Sequence, residues 1–315
     1  MNAVFRGRTS AATEAALEKA AELLGPLAEA DRPMGELTTY RVGGPAALFS
    51  EPGTVADLQR VSSAVATTEI AVVVLGKGSN LLVSDAGFPG LCLRLADRFA
   101  GIEIEGDLVR AGGAAAYPVL ARRTAAAGFT GLEWAVGIPG SVGGAVRMNA
   151  GGHGAQTSEV LVDCRIVSLL DGVERLVVKS ALDLSYRHSS IGPFEVVTEA
   201  SYRLERGDAE QALARIDEVV RWRREHQPGG QNAGSVFTNP PDDAAGRLIE
   251  EAGLKGLRMG SAVVSDKHAN FIQADPGGSA DDVRRLIDAV RALVLERLGV
   301  KLETELRFVG FEEGS

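Results

Sequence analysis

Cysteine is almost missing from this chain: its 315 residues include only Cys92 and Cys164. Two thiols so far apart make neither a disulfide framework nor a metal-ligand spacing. Histidine is scarce as well, and its four copies are scattered without a zinc pattern, so no metal site is expected. Basic charge is also short. A formal net charge of −9 leaves no excess of Lys and Arg to neutralise a phosphate backbone, which argues against a nucleic-acid partner. It leaves room for an anionic small molecule, which needs only a few placed donors. No run approaches the ~20 apolar residues of a membrane span. The opening "MNAVFRGRTSAATEAALEKAAELLGPL" has no apolar segment of signal-peptide length and reads as an amphipathic helix. The expectation is a cytoplasmic protein with no membrane or obligate protein partner.

What the chain does have is length for two domains, or three small ones, with real cores and a large stock of Ala and Gly, suited to a loop-rich α/β or α+β enzyme. Helical spacing appears at Val55, Leu58, Val61 and Val65, and again as a stripe of Leu213, Ile216, Val219, Val220 and Trp222. "GIEIEGDLVRAGG" alternates around Gly106-Asp107 and predicts a hairpin. Ser279 with Asp282 three residues on predicts a capping box opening a helix to Gly299. The final "VKLETELRFVG" alternates strictly, with Val300, Leu302, Leu306 and Phe308 on one face and Lys301, Glu303, Glu305 and Arg307 on the other. The expected organisation is one domain over 1–204, a smaller one over 205–300, and a last strand in 301–315 packing back on the first.

Two glycine-rich stretches stand out. "VLGKGSNLLVSDAGFPG" follows an apolar β-run, as a dinucleotide-binding turn would. A Rossmann turn nevertheless fits poorly: Leu81 occupies the third glycine position, and Gly87, Pro89 and Gly90 punctuate what should be a helix. The bland reading is a tight turn whose glycines only permit positive φ. Ser79 and Asn80 add side-chain donors, and the second stretch, 137–152, adds more backbone amides. Together they read as a pyrophosphate cradle carried on short strands rather than at helix N-termini.

Six motifs, "TTYRVGGPA", "LGKGSNLLVSDAGFPGLCLRL", "GLEWAVGIPGSVGGAVRMNAGG", "LSYRHSSI", "AGSVFTNP" and "LETELRFVG", occur in an order and spacing that resembles the UDP-N-acetylenolpyruvoylglucosamine reductase (MurB) family. The resemblance runs from about residue 36 to 310 and follows the compact branch, without an inserted tyrosine-bearing loop. It implies an FAD-binding PCMH-type domain, like that of vanillyl-alcohol oxidase, followed by a smaller α+β substrate domain. It implies hydride transfer from NADPH through FAD to a UDP-sugar enolpyruvyl ether, giving UDP-N-acetylmuramate for peptidoglycan.

Carried onto this chain, the resemblance implies FAD contacts at Gly76, Lys77, Gly78, Ser79, Asn80 and Leu81. In the second stretch it implies Gly137, Ile138, Pro139, Ser141, Val142, Gly143, Gly144, Ala145 and Asn149. Arg187 matches the arginine at the substrate carboxylate, Ser235 the proton donor and Glu305 the catalytic glutamate. Tyr186, Asn239 and His268 match positions lining the UDP-sugar site. Without the resemblance these residues read as a solvated arginine, a turn serine and a charged strand face, and periodicity does not separate Glu305 from Glu303. Two departures stand out: His226 occupies a position where many members carry lysine, and Gly152-His153 replaces an alanine-aromatic pair. His153 raises covalent flavin attachment, with non-covalent binding preferred. Two alternatives stay open here, another flavin oxidoreductase or oxidase of the same fold and a non-catalytic flavin-binding relative.

Overall fold

The spacing of Val55, Leu58, Val61 and Val65 becomes the helix Val55–Thr68, whose N-cap Thr54 accepts from the Asp57 amide. Its buried face meets the first helix, Ser10–Leu24, in one apolar cluster. The computed structural model describes residues 10–311, so the start of the expected N-terminal helix lies outside the described residues.

Contacts divide the chain into two units, and the division does not follow the chain linearly. The first holds the chain up to Arg32, then Ala46–Lys77 and Pro89–Arg221. It contains a four-stranded sheet in the order Glu29–Pro33, Pro45–Ser50, Phe88–Arg94, Val72–Leu75. It also contains a five-stranded antiparallel sheet in the order Glu174–Val178, Leu161–Ser168, Glu195–Arg203, Leu108–Gly112, Ile102–Glu105. The last pair is the hairpin expected at Gly106-Asp107, where Gly106 has φ 66°.

The second unit holds Pro33–Pro45, Gly78–Phe88 and the chain from Trp222 onward. A three-stranded antiparallel sheet, Arg258–Met259, Ala262–Val264 and Ile272–Ala274, packs against the helix Ala280–Leu298. Val283, Leu286, Ile287, Val290 and Val294 on that helix are fully buried. A short parallel pair, Arg307–Val309 with Leu81–Val83, completes it.

The contact division passes at Arg221/Trp222, inside the helix Ala209–His226, beyond the 204/205 of the expected organisation, and Ala212 and Ile216 are buried in the first unit's core. Three expectations are corrected. That helix does not bury the whole stripe: its inward line runs through Ala212, Ile216, Val219 and Val220, leaving Leu213 and Trp222 exposed. Ser279 does cap its helix through the Asp282 amide, but no reciprocal capping box forms. The Asp282 carboxylate is taken by the amide and hydroxyl of Ser261. The last strand is also shorter than its alternation predicts. Only Arg307–Val309 is strand, and Thr304 makes an isolated bridge with Phe237.

Candidate active site

No helix follows the strand Val72–Leu75; after the loop 76–80 the chain enters the strand Leu81–Val83. The two glycine stretches meet within the first unit, for a Cβ on Gly76 would stand 2.4 Å from Ser141 Oγ. Gly78 has φ 63°, and a Cβ there would lie 2.2 Å from the Leu37 carbonyl oxygen, so only glycine fits. The amides of Lys77, Gly78, Ser79 and Asn80 donate to no acceptor among the described residues. Four consecutive open N–H groups at a glycine turn are a donor set that suits a phosphate oxygen. By this test the residues present fit the phosphate portion of a dinucleotide.

The second stretch differs from its expectation. Residues Val142–Arg147 form a short helix, capped by Ser141, whose hydroxyl accepts from the Gly144 amide at 3.2 Å. Most amides of the stretch are likewise taken. Val142 donates to Ala115, Gly143 to Gly113, Ala145 to Ser141, Gly140 to Ile138 and Ile138 to Ala135. Pro139 and Gly144 are exposed, whereas Gly137 is buried. The Ser141 amide, by contrast, donates to no acceptor among the described residues, so the stretch keeps an open donor in a backbone otherwise largely spent. Asn149 is fully buried at φ 39°; its amide nitrogen donates to Gln156 and to the Ser185 carbonyl, and its oxygen accepts from the Ser158 amide. Its side chain is spent inside the protein. Glu133, 7 % exposed, anchors the approach to this stretch by accepting from Thr130 Oγ1 and the Gly131 amide, with Arg215 3.3 Å away. Burial pushes its carboxyl up, but those hydrogen bonds and the Arg215 charge outweigh burial and leave it below the usual Glu range.

Tyr186 and Arg187, also in the first unit, form the tip of a tight turn closed by Ser185 and His188, which bond to each other through both amides. Arg187 adopts φ 55°, uncommon for a residue with a side chain. That backbone state lays its guanidinium over the Tyr186 ring at 4.8 Å and lets Nη2 donate to the Gly151 carbonyl at 3.0 Å. The ring of Tyr186 is about half exposed. A planar, always-charged group held by a ring and a carbonyl is suited to a carboxylate ligand.

Ser235 and Glu305 belong to the second unit, and backbone hydrogen bonds bring their segments together. The amides of Glu305 and Leu306 donate to the Val236 carbonyl at 2.8 and 3.4 Å, and the Thr238 amide donates to Glu303. Asn270, buried and not anticipated from sequence, grips this frame. Its Oδ1 accepts from the Phe237 amide at 2.9 Å, its Nδ2 donates to the Phe237 carbonyl at 2.8 Å, and its carbonyl accepts from Val236. The two glutamates now separate. Glu303 is exposed and paired with Lys301 at 2.8 Å, whereas Glu305 is half-buried.

Asn239 is exposed and its Oδ1 accepts from the Ala245 amide at the start of the helix Ala245–Glu251. His268 packs on Phe271, and its Nδ1 accepts from the Asn270 amide. Burial lowers its pKa, so near neutral pH the ring is uncharged with its proton on Nε2. His226 is exposed and stacks on Trp222 at 4.6 Å, with Nδ1 2.8 Å from the Trp222 carbonyl oxygen. The Lys267 ammonium bonds to the Arg224 carbonyl two residues away, bringing a fixed cation to the same turn. His153 is exposed at φ 53°. Both cysteines are buried and free, and burial pushes each thiol up to about 12. Among the described residues no His, Cys, Asp and Glu cluster could hold a metal ion, and no helix is long and apolar enough to cross a membrane.

Residues 46–175 match a family described as FAD binding domain, and residues 226–309 match one described as UDP-N-acetylenolpyruvoylglucosamine reductase, C-terminal domain. The chain is 45 % identical over 289 residues to the UDP-N-acetylenolpyruvoylglucosamine reductase of Rubrobacter xylanophilus, covering 91 % of this chain and 97 % of that one. It is 42 % identical to the protein of that name from Heliobacterium modesticaldum, covering 90 % of each. Among solved structures, the reductase (MurB) from Thermus caldophilus superposes with a TM-score of 0.79 at 38 % identity, covering 90 % of this chain and 98 % of that one.

Proposed function

This chain belongs to the UDP-N-acetylenolpyruvoylglucosamine reductase family, and we infer that it reduces the enolpyruvyl ether of a UDP-sugar to the corresponding lactyl ether, UDP-N-acetylmuramate. The fold is α+β, an FAD-binding PCMH-type domain with a MurB C-terminal domain. Bound FAD supplies the hydride relay, accepting from NADPH and delivering to the enolpyruvyl double bond. The open amides of Lys77 to Asn80 would take its phosphates, and the residues from Gly137 to Ala145 would wall it. Asn149 would act by holding the 149–158 segment and Ser185 in place.

Hydride arrival at the terminal carbon leaves charge on the neighbouring carbon and its carboxylate, which needs a fixed cation and then a proton. Arg187 has the geometry for the first task, a guanidinium immobilised by Tyr186 and Gly151. Ser235 would deliver the proton. A hydroxyl is a weak acid, and Glu305 is the half-buried carboxylate nearest along the frame to polarise it or resupply its proton. Tyr186, Asn239 and neutral His268 would contact the UDP-sugar. The same reading makes the protein cytoplasmic, where nucleotide sugars and NADPH are made.

The observation that carries the assignment of Ser235 and Glu305 is the bond from the Glu305 amide to the Val236 carbonyl, one residue from Ser235. The purified protein should be yellow, bleach anaerobically with NADPH and regain colour with the enolpyruvyl nucleotide. A bleached flavin that stays bleached would overturn the reading. In Ser235→Ala, recolouring should slow by about 10²-fold or more while bleaching persists, the range for removing a positioned acid. Equal recolouring would remove Ser235 as the donor.

A further inference from the structure

The loop 76–80 carries a side chain that its role in a phosphate cradle does not use. Asn80 Nδ2 donates to the backbone carbonyl of Glu305 at 3.2 Å, and the Arg307 amide donates to the Asn80 carbonyl at 3.1 Å. A carbonyl oxygen only accepts, so the atom facing it must be the amide nitrogen, which settles the side-chain orientation. One residue thus brackets 305–307 from both sides of Leu306. The ladder continues directly from it, pairing Leu81 with Arg307, Leu82 with Phe308 and Val83 with Val309.

Glu305 needs such a bracket. It lies in the gap between the Thr304–Phe237 bridge and the Arg307–Val309 strand, outside regular structure. Its amide is fixed by Val236, and its carbonyl is fixed by Asn80. We propose that Asn80 is a positioning residue for Glu305, so that the glycine loop sets the carboxylate strand as well as offering amides to a cofactor. This deepens, and rests on, the reductase reading above. In this arrangement a phosphate drawn to the loop amides and the orientation of Glu305 are mechanically linked through a single side chain.

The test uses the full-length holoprotein with Asn80→Ala, which keeps every backbone amide of the loop, and with isosteric Asn80→Asp, which removes the donor without opening space. Anaerobic rapid mixing measures bleaching by NADPH and recolouring by the enolpyruvyl nucleotide separately. A displacement of order 1 Å at a catalytic group costs about 10²-fold. In both variants the recolouring rate should therefore fall at least ~10-fold more than the bleaching rate. Amide hydrogen exchange over residues 303–309 of the same proteins should also be several-fold faster than in the unsubstituted chain. The proposal is overturned if the two rates fall together, which assigns Asn80 to the cofactor alone, or if exchange over 303–309 is unchanged. If the unsubstituted protein does not recolour at all, the reductase reading fails, and the exchange comparison still decides the role of Asn80.

Discussion

Asn270→Ala is the sharpest probe of the frame that carries Ser235 and Glu305. Asn270 is 3 % exposed and Phe237 1 %, so water does not replace the lost amide. The substitution strands the Phe237 N–H and C=O, which Asn270 now satisfies at 2.9 and 2.8 Å. An unpaired buried backbone group costs about 1–3 kcal/mol, so two give about 2–6 kcal/mol, with partial relaxation favouring the lower half. The bond from Val236 to the Asn270 carbonyl is backbone and survives. Urea titration followed by far-UV circular dichroism reads the loss. With a slope of about 2 kcal/mol per molar, a loss of ~3 kcal/mol moves the midpoint down by ~1.5 M. Asn270→Asp keeps the acceptor and loses the donor. Its buried carboxyl would be raised in the folded state, so its penalty should grow as pH rises above about 4 and shrink below it. A midpoint within 0.3 M of the parent for Asn270→Ala would refute the reasoning, because it would mean Phe237 finds other partners.

Gly78→Ala should cost about 2–5 kcal/mol, combining about 1–2 for the left-handed backbone with about 1–3 for overpacking against Leu37 and Thr38. Gly106→Ala, at φ 66° with nothing near the added carbon, should cost only the first part. Equal midpoint shifts in urea would dismiss the steric half. Glu133 gives a pH test. Its carboxyl is lowered in the folded state, so its stabilisation is complete above the unfolded value of about 4.3 and is lost as pH falls through the folded value. Glu133→Gln should be less stable than the parent at pH 7, and the gap should close between about pH 5 and 3. A gap independent of pH would mean that the Thr130 and Gly131 bonds do not depend on the charge.

Much of the fold was legible because apolar spacing is local. The helix Val55–Thr68 and the hairpin at Gly106 follow from periodicity, and the absence of a helix after Leu75 follows from Gly87 and Pro89. The errors share a physical cause in long-range pairing. Alternation in 300–308 predicts one strand, but the chain there serves two partners in turn, Phe237 and then Leu81–Val83, and breaks between them. Asp282 completes the sequence signature of a capping box, yet Ser261, distant in sequence, takes its carboxylate. Glu303 and Glu305 share a face in any alternating pattern. Only the break in the strand and the Lys301 pair make them different.

The glycines teach the same lesson from the other side. Sequence reasoning assigns motif glycines to a ligand, because backbone approach to a phosphate needs them. In the second unit several are needed by the protein itself. A Cβ on Gly43 would lie 2.5 Å from the Val83 carbonyl, on Gly44 2.3 Å from that of Asp85, on Gly87 2.1 Å from that of Pro45, and on Gly310 1.9 Å from that of Gly87. Three motifs far apart in sequence, "RVGG", "SDAG" and "FVG", thus press their backbones together around residues 83–88. Asp85 adds a charged anchor there, accepting from the Ser279 hydroxyl at 2.5 Å and from the amides of Ala280 and Asp281 at 2.9 and 3.1 Å. Within this chain each of the three motifs is a packing surface for the others. Of the first loop's glycines, Gly78 is explained by Leu37 and Gly76 by Ser141, so what remains for a cofactor is the row of amides between and after them, not the glycines that first drew notice.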